Sequence, residues 1–474
     1  MLDFKHAHFV GIGGIGMSGI ARILLQMGHS VSGSDLQHSR ITQGLESLGA
    51  TIYCGHAAQN LPPQTDLVVV SSAVPVTNPE VCEARRRGVA IVQRGHMLSM
   101  LMQPMQGIAI AGAHGKTTTT SMVAAVLTGA GLQPTVVVGG ELNDIGANAK
   151  LGEGRYLVAE ADESDASFVE LSPFMAVVTS IDADVNLGTE AYCDCGYDHQ
   201  KTSQRVSELF LKFMHRVDPQ GVVVICGDHA GLRALLPQIE RRTVTYGLRP
   251  DNDIYATDIE LADFASRSTV IWRGQPLGEL ILRVPGQHNI QNALAALAIG
   301  LEIGLPFSDM SRYLAAFRGV QRRFQILGEF DGVTIVDDYA HNPKKIQAAI
   351  AAAHTGERNR VIAVFQPHRY TRTKFFAQEY AQVFTEADVV LVTDIYAAGE
   401  EPLPGVDAQS LAEGIRRNSP PGQEVFYTPT ASDILAYVTH NCRAGDVLLF
   451  LGAGDISKCA ARCAASLTSQ PCGA

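Results

Sequence analysis

Short apolar runs that end in glycine or polar turns alternate with segments of helical periodicity along the whole chain. The first examples are an apolar run at Ala7 to Val10, a helical pattern at Ile15 to Met27 and a second apolar run at Val31 to Ser34. Short strands that alternate with helices in this way are typical of parallel βαβ units. The pattern therefore predicts an α/β fold.

The βαβ pattern begins again twice, which predicts three domains. A new strand at Gly107 to Ala111 leads through a glycine turn into a helix at Thr117 to Gly129. A basic turn around Gly319 precedes further strands at Gly332 to Asp337 and at Arg360 to Phe365. Domains usually have ~100 to 200 residues, so we divide the 474 residues into domains at 1–105, 106–318 and 319–474.

Composition and charge exclude several classes of protein. The chain has 37 basic and 48 acidic residues and a net charge of -11, so nucleic acid is not expected as a partner. No apolar run reaches the ~18 residues of a membrane helix, and the start lacks a signal-peptide pattern; we expect a cytoplasmic protein without membrane insertion.

Nine cysteines without framework spacing favour reduced thiols. Monomer and homodimer both remain open.

The first candidate ligand site is the GIGGIG motif, Gly11 to Gly16, between a predicted strand and a predicted helix. Glycines let the backbone approach a pyrophosphate at a helix N-terminus, where free N–H groups favour negative charge. Asp35 closes the next predicted strand 19 residues after Gly16 and is placed to accept ribose hydroxyls. The motif alone leaves three possibilities open, which are NAD, another diphosphate and a tight turn without a ligand.

The sequence AGAHGKTTTT forms a second glycine turn between a predicted strand and a predicted helix. It is not a strict P-loop, because Ile110 stands where that pattern requires its first glycine. Gly112 and Gly115 can still expose backbone amides to phosphates. Lys116 can neutralise the β and γ oxygens, and Thr117 can offer its hydroxyl to Mg²⁺. We therefore predict a nucleoside triphosphate site, with an ordinary helix N-terminus as the alternative.

Carboxylates cluster after the predicted strand Tyr156 to Ala159. The run EADESD begins at Glu160, and carboxylates at the carboxyl end of a parallel strand are well placed to bind Mg²⁺ beside a phosphate turn. We expect Glu160 to be a metal ligand. For Asp162, Glu163 and Asp165 a solvated acidic turn is the alternative.

Two charged motifs of the third predicted domain, DDYAHNP and QPHRYTRT, each follow a predicted strand. Ligands of such sheets bind at the carboxyl ends of the strands. Arg369 and Arg372 are three residues apart and both reach one carboxylate if this turn opens a helix. Tyr339 and His341 add a ring and a hydrogen-bonding group. Surface arginines without a ligand are the alternative.

Eight motifs in register resemble those of the Mur ligases across nearly the whole chain. They are GIGGIGMSGIA, GAHGKTTTT, AEADESDASF, GQHNIQNALAA, RRF, DDYAHNP, QPHRYTRT and LGAGDI. The resemblance implies a Rossmann-like domain for a UDP-sugar, a central P-loop-type ATPase domain and a Rossmann-like domain for an amino acid. EADESDASF and HRYTR are most similar to members that join L-alanine to UDP-N-acetylmuramate. This implies an ATP- and Mg²⁺-dependent ligation through an acyl phosphate, in peptidoglycan synthesis.

The resemblance also implies roles for individual residues. The UDP-sugar and the acceptor would contact Gly11, Gly13, Gly14, Gly16, Met17, Ser18, Asp35, His56, Ser71, Ser72, Arg94, His114 and Tyr339. ATP would contact Gly112, Gly115, Lys116, Thr117, Thr118, Asn289, Asn292, Arg323 and Asp338. Catalytic roles would fall to Lys116, Glu160, His341, Arg369 and Arg372. L-Alanine would be oriented by its carboxylate through Tyr339, His341, Arg369 and Arg372. Thr117 and Glu160 would bind Mg²⁺.

One departure from the family pattern affects the metal site. Val185 stands where the family has a histidine that binds a second Mg²⁺, and valine has no lone pair for a metal. The following stretch, residues 186–198, is longer than usual. We predict that His199, Asp184 or Asp198 replaces the missing ligand. A zinc site that includes the Cys-x-Cys of this stretch is the lesser alternative, and a simple loop insertion is another.

The selectivity for L-alanine and two other functions stay open. Ala113 replaces a usual threonine, and Asn342, Lys344 and Lys345 replace residues near the expected amino-acid pocket, so strict selectivity for L-alanine stays open. Because Val185 replaces a metal-binding histidine, a weakly active or inactive relative of the ligases that binds nucleotide sugars is one alternative. A nicotinamide-dependent oxidoreductase would use GIGGIG but would leave AGAHGKTTTT and EADESD without a role.

Overall fold

The structure is a computed structural model that describes residues 2–142, 147–162, 166–181, 199–262, 264–355 and 360–468. The chain divides into two compact units. The first contains Met1–Ile259, Ser268–Ile281 and His288–Arg318, and the second contains Glu260–Arg267, Leu282–Gln287 and Gly319–Ala474. The described residues form three β-sheets.

The first sheet is fully parallel. Its strands are β1 (His6–Val10), β2 (Ser30–Asp35), β3 (Thr51–Cys54), β4 (Leu67–Val70) and β5 (Ala90–Gln93). Its helices are α1 (Ile15–Gln26), α2 (Arg40–Glu46), α3 (Pro79–Arg87) and α4 (Arg94–Met102). The strand order is β3-β2-β1-β4-β5. The order reverses between β1 and β4, and ligands of open parallel sheets bind at the carboxyl ends of the strands at such a point.

Helix α3 shows how local sequence defines an element of this sheet. Asn78 caps it by accepting hydrogen bonds from the N–H groups of Glu80 at 2.9 Å and Val81 at 3.4 Å. Pro79 suits the first helical position, where the missing N–H costs nothing. The helix ends at Gly88, which has a φ of 71° in the left-handed region that glycine adopts most easily. Glu80 is thereby placed in the first turn.

The second sheet has ten strands. They are β6 (Gln106–Ala111), β7 (Thr135–Leu142), β8 (Ala147–Lys150), β9 (Tyr156–Glu160), β10 (Met175–Val178), β11 (Val222–Cys226), β12 (Thr243–Gly247), β13 (Ile254–Ala262), β14 (Ala265–Trp272) and β15 (Gln275–Leu282). The helices are α5 (Lys116–Gly129), α6 (His199–His215), α7 (Ala230–Leu235), α8 (Gln287–Glu302) and α9 (Phe307–Ala315). The order is β15-β14-β13-β12-β11-β10-β6-β9-β7-β8. β6 therefore lies between β10 and β9, parallel to both.

The third sheet has six strands. They are β16 (Gln325–Phe330), β17 (Val333–Asp338), β18 (Val361–Phe365), β19 (Val389–Val392), β20 (Glu424–Tyr427) and β21 (Val447–Leu451). The helices are α10 (Pro343–Ala353), α11 (Tyr370–Phe375), α12 (Ala377–Tyr380), α13 (Ala408–Asn418), α14 (Ala431–Asn441) and α15 (Ile456–Thr468). The order is β16-β17-β21-β18-β19-β20, with only the edge strand β16 antiparallel to its neighbour. The carboxyl ends of β17, β21 and β18 are therefore adjacent.

Hydrophobic cores cover both faces of this third sheet. Ile335 and Ile362 belong to one buried cluster, whereas Val336 and Ala363 belong to the other. Successive strand residues point to opposite faces, so a strand between two helical layers is apolar throughout. This explains why the apolar runs of the sequence are continuous instead of alternating.

The α/β fold predicted from the sequence is confirmed. The predicted elements differ from the observed ones by at most one residue at each end; for example, the helix of the second glycine turn begins at Lys116 instead of Thr117. The domain boundaries at 105 and 318 stay predictions. None of the described helices is long and apolar enough to cross a membrane.

Candidate active site

The turn after β1 places the GIGGIG motif at the carboxyl edge of the first sheet. Gly11 has a φ of 79°, and a Cβ on Gly13 would lie 2.8 Å from Asp35 Oδ2. The Gly13 N–H donates to that same oxygen at 2.8 Å. Helix α1 begins at Ile15 without a side-chain cap, so its first N–H groups favour an anionic ligand.

Other residues expected to bind the UDP-sugar lie at the same edge. His56 follows β3, Ser71 and Ser72 follow β4, and Arg94 is the first residue of α4 after β5. A Cβ on Gly16 would lie 3.0 Å from Arg94 Nη1. Arg94 therefore packs directly on the glycine turn, where its positive charge suits a diphosphate.

Met17 and Ser18 are buried in α1, at 2% and 1% exposure. Ser18 Oγ accepts a hydrogen bond from Asn148 Nδ2 at 2.9 Å, and the same amide donates to the carbonyl of Ile15 at 2.5 Å. These bonds tie α1 to β8. A contact of Met17 or Ser18 with the UDP-sugar would therefore be made by the backbone.

The turn between β6 and α5 has a shape that requires glycine. Gly112 and Gly115 have φ values of 137° and 78°. A Cβ on Gly112 would collide with Thr179 Oγ1, and a Cβ on Gly115 would lie 2.6 Å from Asn292 Oδ1. The backbone of this turn thus approaches its neighbours closely, as phosphate-binding turns do.

Lys116, Thr117 and Glu160 lie together at the adjoining ends of β6 and β9. Lys116 Nζ donates to the carbonyl of Gly112 at 2.5 Å. Thr117 Oγ1 donates to Glu160 Oε2 at 3.0 Å, and the Gly139 N–H donates to the same oxygen at 2.8 Å. A cation, a hydroxyl and a carboxylate therefore converge at the glycine turn.

The pair Thr117 and Glu160 fits Mg²⁺, because this ion prefers oxygen ligands and retains several waters when proteins bind it. The described residues contain no group of three or more His, Cys, Asp or Glu side chains that could hold a metal ion. Waters would therefore complete the coordination of Mg²⁺ by Thr117 and Glu160. His199 is the first residue of α6, and its side chain lies outside the described residues. Its predicted metal contact stays a prediction.

Asn289 and Asn292 are buried on α8 and connect it to the glycine turn. Asn292 Oδ1 accepts from Thr119 Oγ1 at 3.1 Å, and Asn292 Nδ2 donates to Asn289 Oδ1 at 3.1 Å. Asn292 therefore has a structural contact with α5, in the helix turn that includes Thr118. The adenine contacts expected of both asparagines, and the ATP contact expected of Thr118, stay predictions.

His114 is held in the glycine turn by its backbone. Its N–H donates to Ser180 Oγ at 3.0 Å, and its carbonyl accepts from Thr179 Oγ1. Ala113, the residue that replaces a usual threonine, donates through its N–H to the Ser180 carbonyl at 3.2 Å. The segment after β10 thus supports the turn after β6.

On the third sheet, Asp338 closes the turn that precedes β16. Its Oδ2 accepts from the Phe324 N–H at 2.6 Å, and its Oδ1 accepts from the Ala340 N–H at 2.6 Å. Burial raises the pKa of Asp338, while Arg323 and these hydrogen bonds oppose the rise. Asp338 therefore shapes the edge of this sheet.

Tyr339 forms an aromatic and cationic cluster with its neighbours. The guanidinium carbons of Arg322 and Arg323 lie 5.0 Å and 5.2 Å from the centre of its ring. The ring of His341 meets it edge-on at 5.2 Å. Arg322 also donates to the carbonyl of Gly452 at 2.7 Å, which connects the segment before β16 to the loop after β21.

His341 and His368 are neutral rings of this cluster. His341 Nδ1 bonds the Tyr339 carbonyl at 2.8 Å, so Nδ1 carries the proton. Burial lowers the pKa of His341 well below its ordinary value. Burial, aided by Arg372, lowers the pKa of His368 to about 4. His368 Nδ1 must accept the hydrogen bond from Arg372 Nη1 at 2.9 Å, because a guanidinium only donates.

The two arginines of QPHRYTRT have different environments. Arg372 is half-buried on α11, whereas Arg369 is exposed and precedes the helix with a φ of 69°. Glu400 holds the start of α11 by accepting from the Thr371 N–H at 3.0 Å and from Thr371 Oγ1 at 2.7 Å. The expected helix is present, and the expected contact of both arginines with one carboxylate stays a prediction.

Sequence reasoning missed His368, Tyr396 and Gly139 as site residues. His368 stands inside QPHRYTRT and stacks on Tyr396 with ring centres 5.5 Å apart. Tyr396 follows β19, so the rule that ligands bind at carboxyl strand ends offered a signal for it. No local signal marks Gly139, because its contact with Glu160 depends on β7 lying beside β9.

Asn342 has a local structural role. Its Oδ1 accepts from the Lys345 N–H at 3.0 Å, so Asn342 is the N-cap of α10, with Pro343 as the first helical residue. Asparagine is among the preferred residues at this position. Its presence in HNP is therefore explained by the helix start.

Several predicted positions lie outside the described residues. They are Glu163, Asp165, Asp184, Val185, Cys193, Cys195 and Asp198. The replacement metal ligand and the alternative zinc site stay predictions.

We expect alanine at Gly115 and at Gly131 to have different effects. Both glycines flank α5 and have nearly equal φ values, 78° and 75°, so each substitution adds about 1 to 2 kcal/mol of backbone strain. Only at Gly115 does the new Cβ also approach Asn292 Oδ1. Gly115→Ala should weaken ATP binding on the order of tenfold beyond Gly131→Ala, measured by calorimetry. Equal ATP affinity in both variants would show that the turn at Gly115 does not bind ATP.

Comparisons with known proteins agree along the chain. Residues 6–105 match the profile described as Mur ligase family, catalytic domain. Residues 110–300 match the Mur ligase middle domain, and residues 322–454 match the Mur ligase, glutamate ligase domain. The three matches together cover more than half of the chain.

Curated relatives and solved structures agree with these profiles. The UDP-N-acetylmuramate–L-alanine ligase of Syntrophotalea carbinolica is 48% identical over 95% of both chains. That of an Anaeromyxobacter species, strain Fw109-5, is 49% identical over 95% of both chains. The crystal structure of the Thermotoga maritima UDP-N-acetylmuramate-alanine ligase has a TM-score of 0.79 at 29% identity, covering 98% of this chain and 99% of that one. With profiles, sequences and fold in agreement from end to end, this chain belongs to the Mur ligase family.

Proposed function

We propose that the protein is an ATP-dependent ligase that joins L-alanine to UDP-N-acetylmuramate in peptidoglycan synthesis. The observation that carries the proposal is the convergence of Lys116 and Thr117 with Glu160 at a glycine turn. It occurs in a chain that is 48% identical to L-alanine ligases over 95% of its length. The glycine turn after β1 then binds the UDP diphosphate, not a nicotinamide dinucleotide.

The first step activates the sugar acid. A carboxylate oxygen does not leave under attack by an amine until it is bonded to a group that is stable as an anion. The lactyl carboxylate attacks the γ-phosphorus of ATP, the bond to the β-γ bridging oxygen breaks, and an acyl phosphate and ADP form. The Lys116 ammonium and the N–H groups of the turn from Gly112 to Gly115 stabilise the charge that develops on the phosphate oxygens.

Thr117 and Glu160 would hold Mg²⁺, which when bound neutralises phosphate charge and aligns the β and γ groups. Glu160 is held for this role by the Gly139 N–H at 2.8 Å. Because the hydroxyl and the carboxylate are already in contact, the metal-facing atoms need little reorganisation. Low reorganisation is what makes a preorganised charge effective.

The second step uses the edge of the third sheet. Arg372, positioned by His368 at 2.9 Å, and Arg369 bind the carboxylate of L-alanine. His341 keeps its proton on Nδ1, so Nε2 offers a lone pair to the amine. The amine attacks the acyl carbon, the carbon–oxygen bond to the phosphate breaks and orthophosphate leaves, and Nε2 accepts the proton that the amine loses, which completes the amide bond.

We also propose a cytoplasmic location, with small-molecule substrates as the only partners of the reaction and a monomer or homodimer as the working form. ATP and UDP-sugars are cytoplasmic metabolites, and an acidic chain does not attract nucleic acid. The roles implied for Arg323 and Asp338 at the nucleotide stay predictions.

An omission experiment tests the reaction. Orthophosphate release should require UDP-N-acetylmuramate, ATP, Mg²⁺ and L-alanine together, and glycine and L-serine should replace L-alanine poorly. Oxygen-18 placed in the lactyl carboxylate should appear in the orthophosphate, because one carboxylate oxygen leaves with the phosphoryl group. Release that does not need the sugar acid, or orthophosphate without the label, would contradict the proposal. An inactive protein that still binds UDP would instead support a nucleotide-sugar-binding role.

A further inference from the structure

A buried carboxylate lies behind the UDP-sugar edge of the first sheet. Glu80 is fully buried. Its Oε2 accepts from Ser34 Oγ at 2.6 Å and contacts His8 Nε2 at 3.2 Å. Its Oε1 accepts from Asn60 Nδ2 at 2.9 Å and from the Ala57 N–H at 3.1 Å. Four donors thus converge on one side chain.

These contacts keep Glu80 ionised. Burial acts to raise the pKa of Glu80, but hydrogen bonds from His8, Ser34 and Asn60 outweigh it, so the pKa is lowered. Glu80 also lies in the first turn of α3, where the helix dipole favours negative charge. An ionised carboxylate only accepts hydrogen bonds. Every group that contacts Glu80 must therefore donate.

This requirement fixes the proton on His56. Ser34 has one hydroxyl proton, and it is used on Glu80. Ser34 Oγ must then accept in its hydrogen bond with His56 Nδ1 at 2.9 Å, so Nδ1 carries the imidazole proton. Glu80 Oε1, 3.6 Å from Nδ1, favours the same arrangement. In the neutral ring Nε2 then has the lone pair.

The remaining nitrogen of His56 lies at the edge of the first sheet that is expected to bind the UDP-sugar. No described residue forms a hydrogen bond with Nε2, and the side chain is 22% exposed. The preceding residue, Gly55, donates through its N–H to the Asp35 carbonyl at 2.7 Å. His56 therefore lies at the carboxyl ends of β2 and β3, at the edge that carries the GIGGIG turn. Its Nε2 is an acceptor that a neutral ligand donor can use.

A second branch from Glu80 does not reach the edge. His8 Nε2 donates to Glu80, so His8 Nδ1 accepts from Ser32 Oγ at 2.8 Å. Ser32 Oγ in turn accepts from His6 Nε2 at 2.8 Å. All three side chains are buried. Ser32 is thus a matched control for Ser34, because both are buried serines on β2 that are linked to the same carboxylate.

We propose that Glu80 is a positioning residue that acts through Ser34 to hold His56 in the Nδ1–H form, so that Nε2 accepts a hydrogen bond from the uridine part of the UDP-sugar. Uridine has such donors in its imide N–H and its ribose hydroxyls. The identity of the ligand rests on the proposed function. UDP binding does not require the ligation reaction, so UDP affinity tests this proposal even if the protein does not catalyse the ligation.

Calorimetric titration with UDP at pH 8.5, where ordinary imidazoles are neutral, tests the relay. His56→Ala, Ser34→Ala and Glu80→Gln should each weaken UDP binding roughly three- to tenfold, while Ser32→Ala leaves it unchanged. Thermal unfolding identifies variants that fail to fold, and Ser34→Ala, which keeps Asn60, His8 and Ala57 on Glu80, replaces Glu80→Gln if that variant unfolds. Equal loss in Ser32→Ala and Ser34→Ala would overturn the relay.

The double variant separates positioning from a structural role. If Glu80 acts only through His56, the variant with both His56→Ala and Glu80→Gln binds UDP as weakly as His56→Ala alone. If the loss of UDP affinity in the double variant equals the product of the losses in the two single variants, the proposal is overturned. Imidazole ¹⁵N spectra give an independent readout, because the His56 Nδ1–H signal of the native protein should diminish in Ser34→Ala but not in Ser32→Ala. Unchanged spectra in Ser34→Ala would also overturn it.

Three analogues identify the uridine donor. UDP methylated at N3 lacks the imide N–H, and 2′-deoxy-UDP and 3′-deoxy-UDP each lack one ribose hydroxyl. The native protein should bind one of them more weakly than UDP, and His56→Ala should bind that analogue and UDP alike. If the native protein and His56→Ala discriminate against all three analogues equally, His56 does not accept from uridine and the proposal fails.

Discussion

Replacing Lys116 by methionine should reduce the rate of phosphate release by at least about a hundredfold. The Lys116 ammonium lies 2.5 Å from the Gly112 carbonyl, within the turn that is to hold the ATP phosphates. Methionine keeps an unbranched apolar stem but removes the charge that stabilises the transferring phosphoryl group. Helix α5 should still form, because Lys116 is its first residue and methionine is a good helix former. Phosphate release and ATP affinity are measured together.

Lys150→Met is the matched control for this loss. Lys150 is exposed on β8 of the same sheet and is not part of the glycine turn. The control should retain the native rate and the native melting temperature. A rate for Lys116→Met close to that of Lys150→Met would show that the turn after β6 does not bind the reacting phosphates.

Replacing Glu160 by glutamine should also reduce the rate on the order of a hundredfold at low Mg²⁺, with partial recovery as Mg²⁺ is raised. Glutamine retains an oxygen that can accept from Thr117 Oγ1 and the Gly139 N–H, the two present donors to Glu160 Oε2. It loses the negative charge that attracts the ion. The measurement is the Mg²⁺ dependence of the initial rate, with direct Mn²⁺ binding followed by electron paramagnetic resonance.

Glu170→Gln is the control for Glu160→Gln. The Glu170 carboxylate contacts His96 at 3.2 Å, and both side chains are substantially exposed. This variant should keep the native Mg²⁺ dependence and the native Mn²⁺ affinity. If Glu160→Gln bound Mn²⁺ as tightly as Glu170→Gln, the assignment of Glu160 as a metal ligand would be wrong.

The sequence could predict those parts of the site that depend on short-range rules. Parallel strands bring their carboxyl ends to one edge, so the motifs after β6 and β9 were expected to meet. Lys116, Thr117 and Glu160 do lie together in the structure. The glycines at 112 and 115 could be anticipated because a phosphate turn needs backbone that side chains would obstruct.

Contacts between residues far apart in the chain could not be predicted. Glu80 meets His8 from 72 residues away and Asn60 from 20 residues away, and no motif pairs a helix N-terminus with a buried histidine. Asn342 differs from the residue that the family pattern has at this position, and the sequence alone does not show that its side chain caps helix α10. Both cases depend on where a side chain points after folding, which hydrophobic periodicity does not encode.

Arg94 connects two segments to which we assign different substrates in the proposed function. It packs on Gly16 of the GIGGIG turn and forms an ion pair with Asp162 at 3.0 Å, two residues beyond Glu160. One guanidinium is thus shared by the GIGGIG turn and the segment that follows Glu160. If binding of the sugar nucleotide changes the affinity for ATP through this ion pair, thermodynamic reciprocity requires ATP to change the affinity for the sugar nucleotide by the same factor.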